Sequence, residues 1–173
     1  EVTMDITITP SPLSGKISAI SSKSDAHRLL ICAGLCAGET TKIHITDTSK
    51  DINATAGVLR SMGANIAREG EYFLVASPEN FTLSPVCDCC ESGSTLRFLL
   101  PVVAAACGSG YFSGSGKLPD RPISELMSAM GSHGVNFSSD KLPFSISGRM
   151  SGGEFLIPGN ISSQYISGIL LSL

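Results

Sequence analysis

Apolar residues recur with helical spacing in three segments of the chain, and a short polar run rich in hydroxyl groups precedes each segment. A Ser or Thr just before an apolar pattern of period 3.6 indicates a capped helix start, because its hydroxyl can accept a hydrogen bond from a free backbone N–H. The sequence therefore predicts three helices. The apolar segments cover residues 26–37, 96–107 and 165–173, and the polar runs cover residues 21–24, 91–94 and 162–164.

The three helix starts recur at nearly constant spacing. Ser24 and Ser94 lie 70 residues apart, and Ser94 and Ser163 lie 69 residues apart. A constant period of this kind indicates a structural repeat. The third copy stops inside its first helix, so we expect the chain to be part of a larger protein.

Each complete copy also contains a second predicted helix. These helices open at Asp51 and Asp120, and they close near Gly63 and Gly131, since glycine favours the left-handed conformation that follows a helix. Alternating apolar and polar residues predict strands between and after the helices, which indicates an α/β fold. The strands are expected at residues 5–9, 16–20, 72–76 and 143–147 and, more briefly, around Phe81 and Phe155.

The predicted organisation follows this repeat. Two copies cover residues 23–90 and 91–159, and an incomplete third copy covers residues 160–173. Residues 1–22 hold two strands, turned at Pro10-Ser-Pro12, that precede the first copy and stand outside the repeat.

Composition argues against polyanionic partners. The 173 residues carry a formal net charge of −3 and only 16% of them are charged, against about 25% in an average globular domain. This balance disfavours nucleic acid and anionic membranes as partners. No apolar run approaches the roughly 20 residues that span a bilayer, and no secretion signal is recognisable, so we expect a cytoplasmic protein.

Six cysteines raise the question of disulfides or a metal site. Three of them stand close together within residues 87–90, but no second ligand pair has the spacing of a zinc site. We expect neither disulfides nor a metal. Cys32 and Cys36 lie four residues apart in an apolar helix, where we expect buried thiols.

The first helix start combines groups that suit an anion. Ser24 and Arg28 lie four residues apart and so share one helix face, with Lys23 next to them. A hydroxyl, an ammonium, a guanidinium and the free N–H groups of a helix start together favour phosphate or carboxylate. The alternative is an ordinary cap in which Lys23 is solvated and Arg28 pairs with Asp25.

The other helix starts offer similar groups. Gly93 permits close backbone approach, Ser162 and Ser163 supply two hydroxyls, and Arg121 is held by the proline that follows it. Each taken alone is equally consistent with a capping run or a surface ion pair. Because three helix starts at one repeat phase carry such groups, we expect a shared site for anionic ligands.

Four motifs stand in order along the chain and in register with one another. They are Lys23-Ser24-x-x-x-Arg28, Glu91-x-Gly93-x-x-x-Arg97, Asp120-Arg121-Pro122 and Ser162-Ser163-Gln164. Together they resemble the 5-enolpyruvylshikimate-3-phosphate synthase family. The resemblance runs from Met4 to the end of the chain and corresponds to less than the first half of the family's length. One departure is Glu91, where many members have Asn, and we leave Glu91 out of the site.

The resemblance implies an inside-out α/β barrel built from repeated βαβαββ units, the enolpyruvate transferase fold, with the third repeat truncated here. It implies that residues 1–22 belong mainly to a second domain. It also implies a monomer without metal or organic cofactor that joins phosphoenolpyruvate to the 5-hydroxyl of shikimate 3-phosphate, in the pathway to aromatic amino acids. The family's proton-transfer groups lie in the C-terminal half, so this chain contains no catalytic residue and we expect it to be inactive alone.

The same resemblance implies roles for particular residues. Lys23 would contact both substrates, and Gln164 would lie between them. Gly93 and Arg121 would bind phosphoenolpyruvate. Shikimate 3-phosphate would be held by Lys23, Ser24, Arg28, Ser162, Ser163 and Gln164.

Two alternatives remain open. UDP-N-acetylglucosamine enolpyruvyl transferase shares the architecture, but it typically has Asn after the lysine and a cysteine in the loop that corresponds to residues 117–121, where this chain has none. The other alternative is a non-catalytic anion-binding fragment, distinguished by binding without turnover.

Overall fold

The computed structural model describes residues 5–38 and 40–173. Its helices are α1 (Lys23–Leu35), α2 (Lys50–Ser61), α3 (Gly93–Ala106), α4 (Ser124–Gly131) and α5 (Ser163–Ser172). Its strands are β1 (Thr41–His44), β2 (Asn65–Glu69), β3 (Tyr72–Ala76), β4 (Val86–Asp88), β5 (Ser109–Ser113), β6 (Asn136–Phe137) and β7 (Phe144–Ser147).

The strands form two small sheets, with β1 to β3 in one and β4 to β7 in the other. The first sheet has the order β1-β3-β2, and both pairings are antiparallel. The second has the order β4-β5-β7-β6, in which β4 and β5 are parallel and the other pairs are antiparallel. The elements from β4 to β7 read βαβαββ, which confirms the predicted α/β fold. The first strand of this unit, β4, precedes residue 91, the expected start of the second copy.

The helix starts keep the repeat more strictly than the sequence pattern indicates. Ser22, Ser92 and Ser162 are the N-caps of α1, α3 and α5, and each side chain accepts a hydrogen bond from a backbone N–H of the first turn. They lie 70 residues apart. Ser24 and Ser94 are therefore helical residues rather than caps, and Lys23 is the first residue of α1.

Helix α3 forms the centre of the core. Most of its residues are buried on all sides, and Pro101 stands in its interior. Because proline has no N–H, the carbonyl of Arg97 loses its helical donor. A Cβ built on Gly168 of α5 would clash with that carbonyl oxygen. Glycine at this position thus allows the backbones of α3 and α5 to pack against each other.

We expect Gly168→Ala to lower the free energy of unfolding by about 1–3 kcal/mol, because the added methyl group must displace backbone rather than a flexible side chain. Gly57→Ala is the matched control, since Gly57 lies in α2 and a Cβ there would meet no atom within 4 Å. That control should raise stability by about 0.5–1 kcal/mol. Urea denaturation of both variants measures the difference. A Gly168→Ala protein as stable as Gly57→Ala would contradict the close packing.

One face of α5 carries exposed apolar side chains. Leu30, Leu100 and Leu170 occupy the same position of the repeat, eight residues after the N-cap. Leu30 and Leu100 are fully buried, whereas Leu170 is 65% exposed. In the first two copies the leucine lies in the core of the domain; in the third it borders an open apolar groove of about 300 Å³.

The strands predicted for residues 5–9 and 16–20 do not form. Residues 5–20 are irregular and exposed, and the exposed fractions of Ile8 and Ile17 are 85% and 97%. A strand pair by itself is marginally stable and needs a third strand or a packing surface. The described residues offer this segment neither.

Three further local predictions are wrong. Residues around Phe81 and Phe155 are irregular, although both rings pack against the core. Asp120 ends a single 3-10 turn, and α4 begins only at Ser124 because Pro122 restricts the residue before it. Cys32 lies on the exposed face of α1 and Cys36 is the C-cap of that helix, so their thiols are not buried.

Within the described residues no helix is long and apolar enough to cross a membrane.

Candidate functional site

Three residues that the sequence predicts for the site hold equivalent positions in the fold. Lys23, Gly93 and Ser163 are the first residues of α1, α3 and α5. The N–H groups of a first helical turn have no partner within the helix, and the helix dipole adds positive potential there. The repeat therefore supplies three similar anion-attracting helix starts.

Hydrogen bonds across the helices show that these starts lie at the same end of the domain. Arg28 Nη2 of α1 donates to Ser167 Oγ of α5 over 3.3 Å. Gln164 Nε2 of α5 donates to Ser94 Oγ of α3 over 2.8 Å. α5 packs against α3, and the side chain of Arg28 reaches from α1 to α5. Since each hydrogen bond joins first or second turns, the three starts lie at the same end of the domain. This neighbourhood confirms the juxtaposition that the repeat phase predicts.

The contacts of Lys23 and Arg28 differ from the alternative in which Lys23 is solvated and Arg28 pairs with Asp25. Lys23 Nζ donates to Asp51 Oδ2 at the start of α2 over 2.7 Å, and its side chain remains 53% exposed. Arg28 Nη1 donates to the carbonyl oxygen of Ser24, and its guanidinium lies 4.9 Å from the ring centre of Phe98. In the part of the chain that is described, Arg28 forms no ion pair with Asp25. Its guanidinium is partly buried and directed along the helix surface.

Gly93 lies among guanidinium groups. A Cβ built on it would be 2.8 Å from Nη1 of Arg121 and 3.5 Å from Nη1 of Arg97. Arg121 is exposed, follows the 3-10 turn and lines a cleft of about 420 Å³ together with Lys141 and Asp140. Two guanidinium groups thus lie at the start of α3, an arrangement suited to phosphate or carboxylate.

The start of α5 supplies polar groups rather than charge. Ser162 accepts from the backbone N–H of Gln164 as its cap, while Ser163 is exposed. The amide of Gln164 is held from both ends: its oxygen accepts from Arg97 Nη1 over 3.2 Å, and its nitrogen donates to Ser94. Gln164 therefore has one orientation between α3 and α5.

Several residues of this arrangement are absent from the set that the sequence predicts. Asp51 orients Lys23, Arg97 orients Gln164, and the Tyr165 hydroxyl donates to the carbonyl of Pro122 over 2.7 Å. That last bond ties α5 to the loop of Arg121. Arg97 stands in a recognisable motif and occupies the repeat position of His27 and Ser167, which is the signal that could have identified it.

Four basic side chains converge on the helix starts. Lys23, Arg28, Arg97 and Arg121 supply four cations. Of the nearby carboxylates, Asp51 is paired with Lys23, while Asp25, Glu91 and Asp120 lie in or beside the same helix starts. Repulsion among fixed cations is relieved by a bound anion, so this surface favours anionic ligands over neutral ones.

Burial also controls the charge of His27, which lies one turn below Lys23. Desolvation lowers the pKa of His27 from 6.5 to about 4; the carboxylate of Asp51 opposes this shift, and the charges of Lys23 and Arg28 add to it. The imidazole is therefore neutral near pH 7.

The side chain of Glu91 is directed towards Gly116, since its carboxylate occupies the space that a Cβ on Gly116 would need.

The thiols offer no obvious metal centre. Burial raises the pKa of Cys87 to about 12 and that of Cys107 to about 11, so neither is a ready thiolate ligand. Across residues 5–38 and 40–173, no group of three or more His, Cys, Asp or Glu is placed to hold a metal ion.

Comparison with known proteins gives one family. The model of the EPSP synthase (3-phosphoshikimate 1-carboxyvinyltransferase) family matches residues 8–173. The 3-phosphoshikimate 1-carboxyvinyltransferase of Clostridium perfringens strain ATCC 13124 is 42% identical over 173 residues, which is 97% of this chain and 40% of the relative. That of Clostridium botulinum strain Alaska E43 is 41% identical over 174 residues, which is 96% of this chain and 40% of the relative.

Solved structures agree on the fold. The EPSP synthase of Acinetobacter baumannii has a TM-score of 0.76 at 24% identity, over 91% of this chain and 37% of that one. The enolpyruvyl transferase NikO of Streptomyces tendae has a TM-score of 0.57 at 18% identity, over 85% of this chain and 35% of that one. These likenesses confirm the enolpyruvate transferase fold. The chain spans about 40% of the length of the curated relatives it matches, and it belongs to the EPSP synthase family.

Proposed function

We propose that the complete protein transfers the enolpyruvyl group of phosphoenolpyruvate to the 5-hydroxyl of shikimate 3-phosphate and releases phosphate. This chain supplies one side of the binding site. The observation that carries the proposal is the meeting of three helix starts with Lys23, Arg28, Arg97 and Arg121 at one end of the domain. The family to which the chain belongs supports the same reaction.

The substrates divide between the helix starts. Lys23 serves both, and Gln164 lies between them. Phosphoenolpyruvate is held by the backbone of Gly93 and the guanidinium of Arg121. Shikimate 3-phosphate is held on the side of α1 and α5 by Ser24, Arg28, Ser162 and Ser163.

The chemistry requires two anions to approach each other. Cations around the site offset their repulsion, and fixed donors place the hydroxyl next to the enol carbon. The chain's own residues thus bind and orient. The proton-transfer groups belong to the remainder of the protein, so we propose that this chain alone does not turn over.

The domain arrangement is part of the proposal. Residues 23–173 form repeats of one domain, and residues 1–22 contribute to a second domain that closes over the helix starts. Exposed apolar side chains at Ile6, Ile8, Ile17 and Ile20 support this, since an apolar segment of this kind is suited to burial in another domain. The complete protein is proposed to be a cytoplasmic monomer.

The proposal is tested by titrating shikimate 3-phosphate into this chain in a calorimeter. We expect Arg28→Ala to weaken binding by about 1.5–3 kcal/mol, the value of a charge-assisted contact. Lys42→Ala is the control, because it removes one positive charge from the first sheet, where Lys42 lies 4.1 Å from the ring centre of Tyr72. Equal affinities in Arg28→Ala and Lys42→Ala would remove Arg28 from the site, and no binding of either substrate by the unaltered chain would contradict the proposal.

A further inference from the structure

A buried hydrogen-bond chain lies directly beneath the helix starts. His27, Thr55, Ser92 and Thr95 are polar residues with 0% exposed surface. His27 Nδ1 lies 2.7 Å from Thr55 Oγ1, which lies 2.8 Å from Thr95 Oγ1. Thr95 Oγ1 lies 2.7 Å from Ser92 Oγ. One continuous chain therefore joins α1, α2 and α3.

Counting protons fixes the direction of this chain. The Thr95 hydroxyl has one proton, which is shared between Ser92 Oγ and the carbonyl oxygen of Asp51. The carbonyl oxygen can only accept, so the Thr95 proton is not available to Thr55. Thr95 must then accept from Thr55, and Thr55 must accept from Nδ1–H of His27. The proton of the neutral imidazole therefore resides on Nδ1. This leaves a lone pair on Nε2, which has no partner among the described residues.

Both ends of the chain reach residues of the proposed site. His27 lies one turn after Lys23. Ser92 is the N-cap residue directly before Gly93, and its Oγ accepts from the backbone N–H of Thr95 in the first turn of α3. Asp51 closes the loop, because its carbonyl accepts from Thr95 and its carboxylate accepts from Lys23. A continuous set of hydrogen bonds thus links Lys23 with the residues on either side of Gly93.

Apolar packing alone would hold these helices less specifically. Apolar contact is non-directional, whereas a hydrogen bond weakens steeply outside a narrow range of distance and angle. If one helix slides along another, the polar groups of a buried chain lose their hydrogen-bond partners. The chain therefore favours a single register of the helices.

We propose that His27, Thr55 and Thr95 are positioning residues that hold Lys23 of α1 and the backbone of Gly93 of α3 at the separation needed for phosphoenolpyruvate. This inference rests on the proposed function for its ligand. It makes a selective prediction. Phosphoenolpyruvate bridges α1 and α3 and depends on the chain, whereas shikimate 3-phosphate bridges α1 and α5 and does not.

The test compares Thr55→Val with Thr55→Ser. Valine keeps the shape and removes the hydroxyl, whereas serine keeps the hydroxyl and removes the methyl group. We expect Thr55→Val to lower the affinity for phosphoenolpyruvate about tenfold and that for shikimate 3-phosphate less than twofold. Thr55→Ser should keep both affinities, even where its melting temperature falls. If Thr55 has only a structural role, the affinities for both ligands should follow the melting temperatures of the two variants.

Nuclear magnetic resonance supplies readouts that need no ligand. Nitrogen-15 spectra of the unaltered chain should show His27 protonated on Nδ1. The amide resonances of both Lys23 and Gly93 should shift in Thr55→Val and stay in place in Thr55→Ser. Should Thr55→Val fail to fold, Thr95→Val breaks the chain at its other end.

The outcomes separate the two proposals. A proton on Nε2 of His27, or unmoved Lys23 and Gly93 amides in the valine variant, would overturn the positioning role. Equal loss of both ligands in that variant would overturn it as well. Failure of the unaltered chain to bind either substrate would contradict the proposed function, while the resonance measurements would still decide whether the buried chain positions the two helix starts.

Discussion

Leu100→Ala should lower the free energy of unfolding by about 2–5 kcal/mol, because it removes a fully buried side chain from the central helix and leaves a cavity. Leu170→Ala should change it by less than about 0.5 kcal/mol, since Leu170 is 65% exposed. The two residues hold the same position of the repeat, so the pair isolates burial from local sequence. Urea denaturation of the two variants measures the contrast.

A second readout concerns the uncovered face of α5. Leu170→Gln should reduce binding of an apolar fluorescent dye and reduce self-association, because it places a polar group in the open groove beside Ile166 and Leu173. Similar losses of stability in Leu100→Ala and Leu170→Ala would mean that Leu170 is buried, and would contradict the exposed face of α5.

The stability of the chain should fall as the pH drops from 7 to 4, and His27 should account for about 3 kcal/mol of that fall. Burial lowers the pKa of His27 from 6.5 in an unfolded chain to about 4 in the fold. Between these values the unfolded state binds more protons, so acid favours unfolding. The contribution is complete above pH 6.5 and is lost as the pH falls through 4.

His27→Asn is the matched variant, because asparagine can still donate to Thr55 but does not titrate in this range. Its stability should depend less steeply on pH, by about 3 kcal/mol between pH 7 and pH 4. Denaturation curves at several pH values give the two slopes. Parallel curves for the two proteins would show that His27 is not held neutral by burial.

Local signals in the sequence were sufficient for the repeat and for the positions of three candidate-site residues. Hydroxyl groups before apolar helices located the starts of α1, α3 and α5 to within two residues, because caps depend on neighbours along the chain. The first residues of those helices include Lys23, Gly93 and Ser163, all expected at the site. A constant period then indicated that the three starts meet.

Local signals failed where a segment depends on surfaces from elsewhere. Residues 16–20 alternate as a strand should, yet Ile17 is 97% exposed, while Cys87 at the equivalent repeat position is fully buried in β4. Strand formation depends on a partner strand and a packing surface, and neither can be read from the segment itself.

Only the tertiary structure decided which polar side chains form hydrogen bonds with one another. Arg97 and Gln164 are 67 residues apart, and Arg28 and Ser167 are 139 residues apart. No pattern in the sequence selects such pairs, because the direction of a side chain follows from the rotation of its helix and from the neighbours that pack against it. The same holds for the buried chain through His27: its sequence positions are ordinary helical ones, and only the packing of three helices excludes water and makes their hydrogen bonds obligatory.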